Sequence, residues 1–305
     1  SAQIIPTRLS FVDIAGLVRG AAQGEGLGNQ FLATIREVDA IAHVLRCFED
    51  SDITHVEGRI DPLADAETVN TELMLADLEN LENRAANLRK KATTKDKAAL
   101  AELELVELAL TQLQAGKPAR LADVPPTHAN AFKNLQLLTA KPVIYVCNVE
   151  EASAAKGNSL SAKMTAQAAK EGAEMVLVSA RIEEELAQLD DGERLEYLQT
   201  LGLEEAGLNR LIRQGYALLD LITYFTAGPK ETRAWTIRSG STAPQAAGII
   251  HSDFERGFIR AETTAYDDYT QFGGEQGARD AGRLRQEGKD YIVQDGDVML
   301  FRFNV

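Results

Sequence analysis

The chain has 305 residues, of which 45% are apolar and 26% are charged, a balance typical of folded globular proteins. Its formal net charge of −14 opposes bulk attraction to DNA or to an anionic membrane surface. We found no apolar stretch approaching the roughly eighteen residues that a membrane-spanning helix needs. The two cysteines, Cys47 and Cys147, are too few for a disulfide framework and favour a reducing, cytoplasmic location.

The first informative motif follows the apolar segment Leu9–Val12, which we predict to be a strand. This segment ends in Asp13-x-x-Gly16 and continues into a glycine-rich loop. In nucleotide-hydrolysing switches, such a strand delivers a carboxylate to the magnesium shell, and a glycine amide approaches the γ-phosphate. We therefore expect Asp13 to hold Mg²⁺ through water and Gly16 to contact the nucleotide. An ordinary strand-to-helix loop is the alternative.

A phosphate-cradling loop of the form G-x-x-x-x-G-K-[ST] should precede this motif in the chain. Only twelve residues precede Asp13, and none of them forms that loop. We therefore expect the sequence to begin inside a domain, with the phosphate-binding segment lying upstream of Ser1.

Alternating strand and helix patterns predict an α/β domain around this motif. An apolar run over Ala40–Cys47 is typical of a parallel strand covered on both faces. The other predicted elements are helices at Gly26–Val38, 161–171, Asp191–Leu201 and Glu204–Leu221, and strands at Pro142–Cys147 and Met175–Val178.

A different period interrupts the α/β pattern and predicts an inserted pair of helices. Two heptad-like seams occur, formed by Met74, Leu78, Leu81, Ala85 and Leu88, and by Leu103, Val106, Leu110 and Leu113. Such seams are best buried against each other, as in an antiparallel hairpin. Its tip would be basic, and we consider it either a solvated turn or a site for RNA phosphates. The basic residues are Arg89, Lys90, Lys91, Lys95 and Lys97.

The last part of the chain reads as a small α+β module. A strand is predicted at Arg233–Arg238, a helix from Thr242 to about Ile250, and a terminal hairpin in which a turn at Asp295-Gly296 joins Asp290–Val293 to Val298–Phe303. The predicted domains are thus 1–67 and 139–222 for the two parts of the α/β domain, 68–138 for the helical insertion, and 223–305 for the terminal module.

A candidate base-reading loop, Asn148-Val149-Glu150-Glu151, follows the predicted strand at Pro142–Cys147. GTP-binding switches carry N-K-x-D at this position, where the aspartate accepts hydrogen bonds from guanine. Glu151 is one methylene longer, so guanine specificity should suffer, while adenine could be read by Asn148 and the nearby backbone. Ser179-Ala180 ends the next strand and fits the loop that backs the base. A plain polar loop is the alternative.

Two residues, Leu17 and His43, bear on how the attacking water would be oriented. Leu17 occupies the position where many GTP-hydrolysing switches place a glutamine, so hydrolysis should be slow or use another group. His43, on the neighbouring predicted strand, is a candidate catalytic residue that could position the water. A histidine packed in an apolar strand is the alternative.

Several segments in combination resemble the YchF family, the Obg-like ATPases. These are FVDIAGLVRGAAQGEGLGNQFL, AIAHVLRCFE, NVEE, YFTAGPKETRAWTI, HSDFERGFIRAE and KDYIVQDGDVMLFRFNV, and the resemblance extends from residue 2 to residue 305. It implies a P-loop NTPase domain with an inserted coiled coil and a C-terminal TGS domain of β-grasp shape.

The resemblance also implies a function: a slowly hydrolysing ATPase that prefers ATP to GTP, uses Mg²⁺ and associates with the ribosome in translation control or stress response. The base would be held at Asn148, Val149 and Glu151, backed by Ser179 and Ala180. Two alternatives remain open. One is a non-catalytic module that binds the ribosome or a protein; the other is a GTPase of the Obg type.

Overall fold

The computed structural model describes residues 2–14, 27–53, 58–93 and 96–304. For residues 27–30 it describes the backbone only. The strands are β1 Gln3–Ile5, β2 Ile41–Arg46, β3 Val143–Asn148, β4 Glu174–Val178, β5 Leu221–Ala227, β6 Glu231–Arg238, β7 Phe258–Ala265, β8 Arg285–Glu287 and β9 Asp297–Phe303. The α-helices are α1 Leu27–Glu37, α2 Pro62–Ala92, α3 Lys97–Gln114, α4 Ala129–Lys133, α5 Ser159–Glu171, α6 Ala180–Leu186, α7 Asp191–Thr200, α8 Gly207–Leu218, α9 Ala243–Ile250, α10 Ser252–Arg256, α11 Tyr266–Gln271 and α12 Glu275–Asp280. Single helical turns lie at Ala119–Leu121, Pro126–His128 and Glu151–Ser153.

The chain forms two compact units. The large unit is Val12–Leu218, and the small unit combines Leu219–Val305 with Ser1–Phe11. The start of the chain, which we predicted to lie in the α/β domain, therefore belongs to the small unit, where β1 pairs with β6. Within the described residues, no helix is long and apolar enough to cross a membrane.

The large unit contains a parallel sheet with the strand order β2–β3–β4. Residues 143–147 of β3 are all buried, as expected for a central strand with consecutive apolar residues. The core beneath the sheet includes Tyr145 and Cys147 from β3 and Met164 from α5. Since parallel strands end at the same edge, β3 and β4 bring Asn148 and Ser179 to one side of the sheet.

The expectation that the strand at Ala40–Cys47 is covered on both faces was wrong. Leu45 and Cys47 are buried, whereas Ala42 and Val44 point to solvent, with Val44 exposed to 66%. β2 is an end strand of the described sheet and packs only one face on neighbouring helices. Its mostly apolar sequence therefore does not reveal the alternating burial that the structure shows.

The strand predicted at Leu9–Val12 was also wrong. Residues 6–14 have no regular secondary structure, and Phe11 and Val12 are exposed to 50% and 57%. An apolar segment becomes a strand only when a neighbour pairs with its backbone N–H and C=O groups. The described sheet of the large unit does not include this segment.

The two predicted heptad seams lie on α2 and α3, which pack against each other. Leu81, Ala85 and Leu88 from α2 share a core with Val106, Leu110 and other residues of α3. Because only four residues, 93–96, separate the helices, they run in opposite directions. Asp61 and Asp96 cap the starts of α2 and α3 through hydrogen bonds to backbone N–H groups.

The small unit contains a sheet with the strand order β1–β6–β5–β9–β7–β8. Helix α9 begins as predicted, with Thr242 and Gln245 forming a capping box. The buried Tyr224 joins Ile237 and Phe301 in the core. Strands β5 and β7 were missed, and the predicted helix at Glu204–Leu221 instead ends at Leu218.

The predicted terminal hairpin was wrong. Asp290–Val293 contributes only an isolated bridge, between Ile292 and Thr242. Strand β9 instead pairs antiparallel with β7 and parallel with β5. The Asp295-Gly296 turn is present, but such a local signal does not reveal that a distant strand offers the better partner.

Candidate functional site

The candidate site lies at the carboxyl ends of β3 and β4. The backbone N–H of Val149 donates to the Val178 carbonyl oxygen at 2.9 Å, which extends the pairing of the two strands by one residue. The Val149 side chain is only 2% exposed. The loop that follows β3 is therefore fixed at its root, and its polar residues project from a rigid edge.

Asn148 connects the two predicted base-side loops directly. Its Oδ1 accepts a hydrogen bond of 3.0 Å from the backbone N–H of Ala180. Ala180 is the first residue of α6, where an N–H has no partner within the helix. The sequence predicted that Asn148 and Ser179-Ala180 belong to one site, and the structure brings these residues together.

Glu151 lies in the helical turn Glu151–Ser153 and pairs with an arginine in the first turn of α6. Its Oε1 is 2.7 Å from Nε of Arg181, which also lies 3.8 Å from Oε1 of Glu185. The Glu151 side chain is 35% exposed. The carboxylate that replaces the aspartate of N-K-x-D is thus accessible, but a cation stands beside it.

Asn158, which the sequence analysis missed, ties this loop to the end of β2. Its Nδ2 donates to the Cys47 carbonyl oxygen at 2.7 Å and to Oε2 of Glu150 at 3.0 Å. Burial alone would raise the pKa of Glu150, but hydrogen bonds from Ser153 and Asn158 hold it below its ordinary value.

Asn158 also forms the N-cap of α5, in a capping box with Ser161. The pattern Asn158-x-x-Ser161 was the available sequence signal, but it indicates only a helix start. The contact with Cys47, more than a hundred residues away, carries no local signal.

The predicted phosphate side of the site is described only in part. Asp13 is exposed, and the next residue, Ile14, packs against the core that includes Leu32 and Ile35. Gly16 and Leu17 lie outside the described residues. Within the described residues, no group of three or more His, Cys, Asp or Glu side chains could hold a metal ion.

His43 lies in the middle of β2, next to Tyr145 on β3. The two ring centroids are 5.8 Å apart, and burial lowers the pKa of His43 to about 4. The imidazole is therefore neutral at pH 7. Tyr145 in turn donates to Glu171 at 2.8 Å. This position matches the packed histidine that we considered as the alternative, and the role in orienting water stays a prediction.

The predicted basic tip lies where α2 ends and α3 begins. Arg89, Lys90 and Lys91 form the last turn of α2, and Lys97 is the first residue of α3, whereas Lys95 lies outside the described residues. Arg89 forms an ion pair of 3.1 Å with Glu107 in which both side chains are more than half exposed. An RNA contact at this tip stays a prediction.

Two family models match the chain. The model MMR_HSR1, described as a 50S ribosome-binding GTPase, matches residues 2–80. The model YchF-GTPase_C, described as a protein of unknown function, matches residues 221–304.

Curated relatives align with nearly the whole chain. Proteins named ribosome-binding ATPase YchF from Haemophilus influenzae, Escherichia coli O157:H7 and Bacillus subtilis are 57%, 54% and 52% identical, and each alignment covers 99% of this chain and 83% of the relative. Among solved structures, the YchF GTPase of Schizosaccharomyces pombe covers 98% of this chain and 81% of its own, with 37% identity and a TM-score of 0.85. A GTP-binding protein from Pyrococcus horikoshii OT3 shares the fold alone, with 19% identity and a TM-score of 0.59.

The parallel sheet, the joined loops at its carboxyl edge and the GTPase family model define the class: the chain contains a P-loop GTPase-like domain. Its similarity to the curated relatives extends over almost every residue. The chain belongs to the YchF family.

Proposed function

We propose that this protein is an ATP-binding switch that hydrolyses ATP slowly and associates with the ribosome. The observation that carries the proposal is the hydrogen bond from Ala180 N–H to Asn148 Oδ1, which joins two loops of a base-binding site at the edge of the sheet. The relatives named ribosome-binding ATPases support the same reading. A ribosomal partner also implies a cytoplasmic location.

In the proposed site, Asn148 recognises a purine and Glu151 selects which purine it is. With Oδ1 occupied by Ala180, the Asn148 amide donates from Nδ2 to N7, an acceptor that adenine and guanine share. The backbone at Val149 and Ser179, whose side chains are buried, borders the base, and Glu151 faces its distinguishing edge. Discrimination against GTP then depends on the longer glutamate side chain.

The phosphate side of the proposal rests on Asp13, Gly16 and Leu17. A single exposed carboxylate suits Mg²⁺, which keeps several waters and binds through one or two carboxylates together with nucleotide phosphates. Asp13 would hold this ion through a water molecule. The ion would neutralise negative charge on the phosphates. The apolar Leu17 cannot orient a water molecule, which accounts for slow turnover.

Calorimetric titration of the full-length protein with ATP and GTP tests the proposal. We expect tighter binding of ATP, and Asn148→Ala should weaken both nucleotides by roughly tenfold or more, since a buried contact to the base is lost. Asn130→Ala removes an equally polar but exposed side chain from α4 and serves as the control. Equal or tighter binding of GTP would support an Obg-type GTPase instead.

Association with the ribosome is tested separately by co-sedimentation. Neutralising the five basic residues of the tip should reduce pelleting and its dependence on salt, because each phosphate contact releases counterions. The matched control neutralises five exposed lysines elsewhere in the large unit: Lys117, Lys133, Lys156, Lys163 and Lys170. Unchanged pelleting of the tip variant would remove the tip from the proposed ribosome contact.

A further inference from the structure

Arg181 is a charged residue at the candidate site to which neither the sequence motifs nor the nucleotide proposal gives a role. It is the second residue of α6, directly after Ser179-Ala180. Its Nε is 2.7 Å from Glu151 Oε1, although 76% of its side chain is exposed. The guanidinium therefore contacts Glu151 on the solvent-exposed side of that residue's loop.

We propose that Arg181 is a specificity-determining residue which, paired with Glu151, selects adenine and rejects guanine. The inference rests on the proposed function, because it requires a purine held between Asn148 and Glu151. The inference also goes beyond that function, because it assigns the discrimination between adenine and guanine to the charges and hydrogen-bonding groups of two side chains. The length of the Glu151 side chain alone would not supply this pattern.

The chemistry of the pair matches one purine and opposes the other. A carboxylate only accepts hydrogen bonds, and a guanidinium only donates them. Adenine presents a donor at its 6-amino group and an acceptor at N1, so Glu151 and Arg181 can serve both atoms. Guanine in the same pose presents its O6 acceptor to the Glu151 carboxylate and its N1–H donor to the Arg181 guanidinium, so both contacts become repulsive.

The surroundings hold Arg181 near this position. Glu185, one helical turn further along α6, has its Oε1 3.8 Å from the same Nε atom of Arg181. The Tyr197 hydroxyl from α7 donates to Glu185. Arg181 therefore has two carboxylate neighbours. In water such an exposed pair contributes little to stability, but a base seated over it excludes solvent and strengthens both contacts.

The test compares nucleotide selectivity in the full-length protein and its variants. Calorimetric titrations use non-hydrolysable analogues of ATP and GTP, and inosine triphosphate, whose base carries N1–H without a 2-amino group. Arg181→Ala should lower the preference for ATP over GTP by roughly tenfold, the scale of one charged hydrogen bond. Arg181→Lys retains the positive charge and should keep most of the preference.

The matched control is Arg213→Ala, which removes an exposed arginine paired with Glu205 on the same unit. It should leave the selectivity unchanged. The unmodified protein should bind inosine triphosphate as weakly as GTP, and Arg181→Ala should admit both. A clear ATP preference that survives in Arg181→Ala, or tight binding of inosine triphosphate by the unmodified protein, would overturn the role of Arg181 and leave ATP binding intact. An unmodified protein with no ATP preference would defeat the base-reading proposal first, and the role of Arg181 with it.

Discussion

Glu262 in the small unit and Glu151 in the large unit are both carboxylates paired with arginine, but their surroundings are opposite. Glu262 is 6% exposed and accepts two hydrogen bonds of 3.2 Å from Arg302, with Arg279 at 3.4 Å. Glu151 is about a third exposed and has one such partner. A buried carboxylate that accepts several hydrogen bonds inside the protein stabilises a fold, whereas an accessible one remains available to a ligand.

The same contrast extends to other acidic residues. Asp297 in the small unit is 2% exposed and accepts hydrogen bonds from the Tyr291 hydroxyl at 2.7 Å and the Gln294 backbone at 3.0 Å. In the large unit, Asp13 is exposed. We therefore expect mutations in the small unit to act on stability and mutations around β3 and β4 to act on nucleotide binding.

Lowering the pH should destabilise the large unit more than the small unit. The largest contribution to this difference should come from His43. Its pKa is about 4 in the folded state and 6.5 in the reference state, so the folded protein binds fewer protons below pH 6.5. The contribution of neutral His43 to the stability of the large unit is complete above pH 6.5 and falls as the pH approaches 4, by up to about 3.5 kcal/mol at roughly 1.4 kcal/mol per pKa unit.

Urea unfolding at several pH values, followed by far-UV circular dichroism of the mostly helical large unit, measures this loss. His43→Phe keeps a ring beside Tyr145 but cannot titrate, so its stability should vary less with pH. The exposed His128, changed to Gln, provides the control. A pH profile of His43→Phe identical to that of the unmodified protein would contradict the prediction.

In the small unit, Glu262→Ala should destabilise by about 2 kcal/mol, because three arginines lose a buried partner but are half exposed and can rehydrate. Hydrogen bonds from Arg302 lower the pKa of Glu262. Its contribution is therefore present above the ordinary value of 4.5 and is lost as the pH falls below it. The small unit should thus resist acid over a range where the large unit already weakens.

Fluorescence of Trp235, the single tryptophan of the chain, follows unfolding of the small unit. Glu231→Ala removes a more exposed carboxylate with a distant partner, Arg233 at 3.9 Å, and should change stability very little. If Glu262→Ala and Glu231→Ala were equally mild, the buried carboxylate would not be the stabilising element that we infer.

Asn158→Ala should cost about 1 kcal/mol, the usual contribution of an N-cap, together with the lost contact to Cys47. Asn158→Asp separates the two effects, because an aspartate still caps α5 but cannot donate to the Cys47 carbonyl oxygen. Thermal unfolding should show the capping contribution restored in Asn158→Asp, less the repulsion between the new carboxylate and Glu150, and calorimetry should show ATP binding still weakened. Equal ATP affinity in all three proteins would exclude Asn158 from positioning the base loop.

The elements that were predictable are those whose signal is local. The helix at 161–171 and the strands Pro142–Cys147 and Met175–Val178 were confirmed by α5, β3 and β4, because periodicity and apolar runs suffice for such segments. The segment Leu9–Val12 and the terminal hairpin failed because strand formation depends on partners distant in sequence.

The residues of the candidate site also fall into a group that local sequence signals predict and a group that they do not. Asn148 and Ser179-Ala180 were predictable because each follows an apolar strand, and the ends of neighbouring parallel strands share an edge. Asn158 and Arg181 were not, because their partners, Cys47 and Glu151, are distant in sequence and only the packed structure brings them together. The loop carrying Glu151 was found from sequence, but its arginine partner was not.

The smallest stability change and the sharpest functional one should come from Glu151→Asp. An exposed ion pair contributes at most about 1 kcal/mol, so the midpoint of unfolding should barely move. The shorter carboxylate draws back from Arg181 and regains the geometry with which an aspartate pairs with the N1 and 2-amino donors of guanine. Titration with GTP should therefore show tighter binding than in the unmodified protein, and Glu205→Asp, another glutamate with an arginine partner, should not. If Glu151→Asp left the ratio of ATP to GTP affinity unchanged while Glu262→Asp in the small unit shifted it, the assignment of the two carboxylates to ligand binding and to folding would have to be reversed.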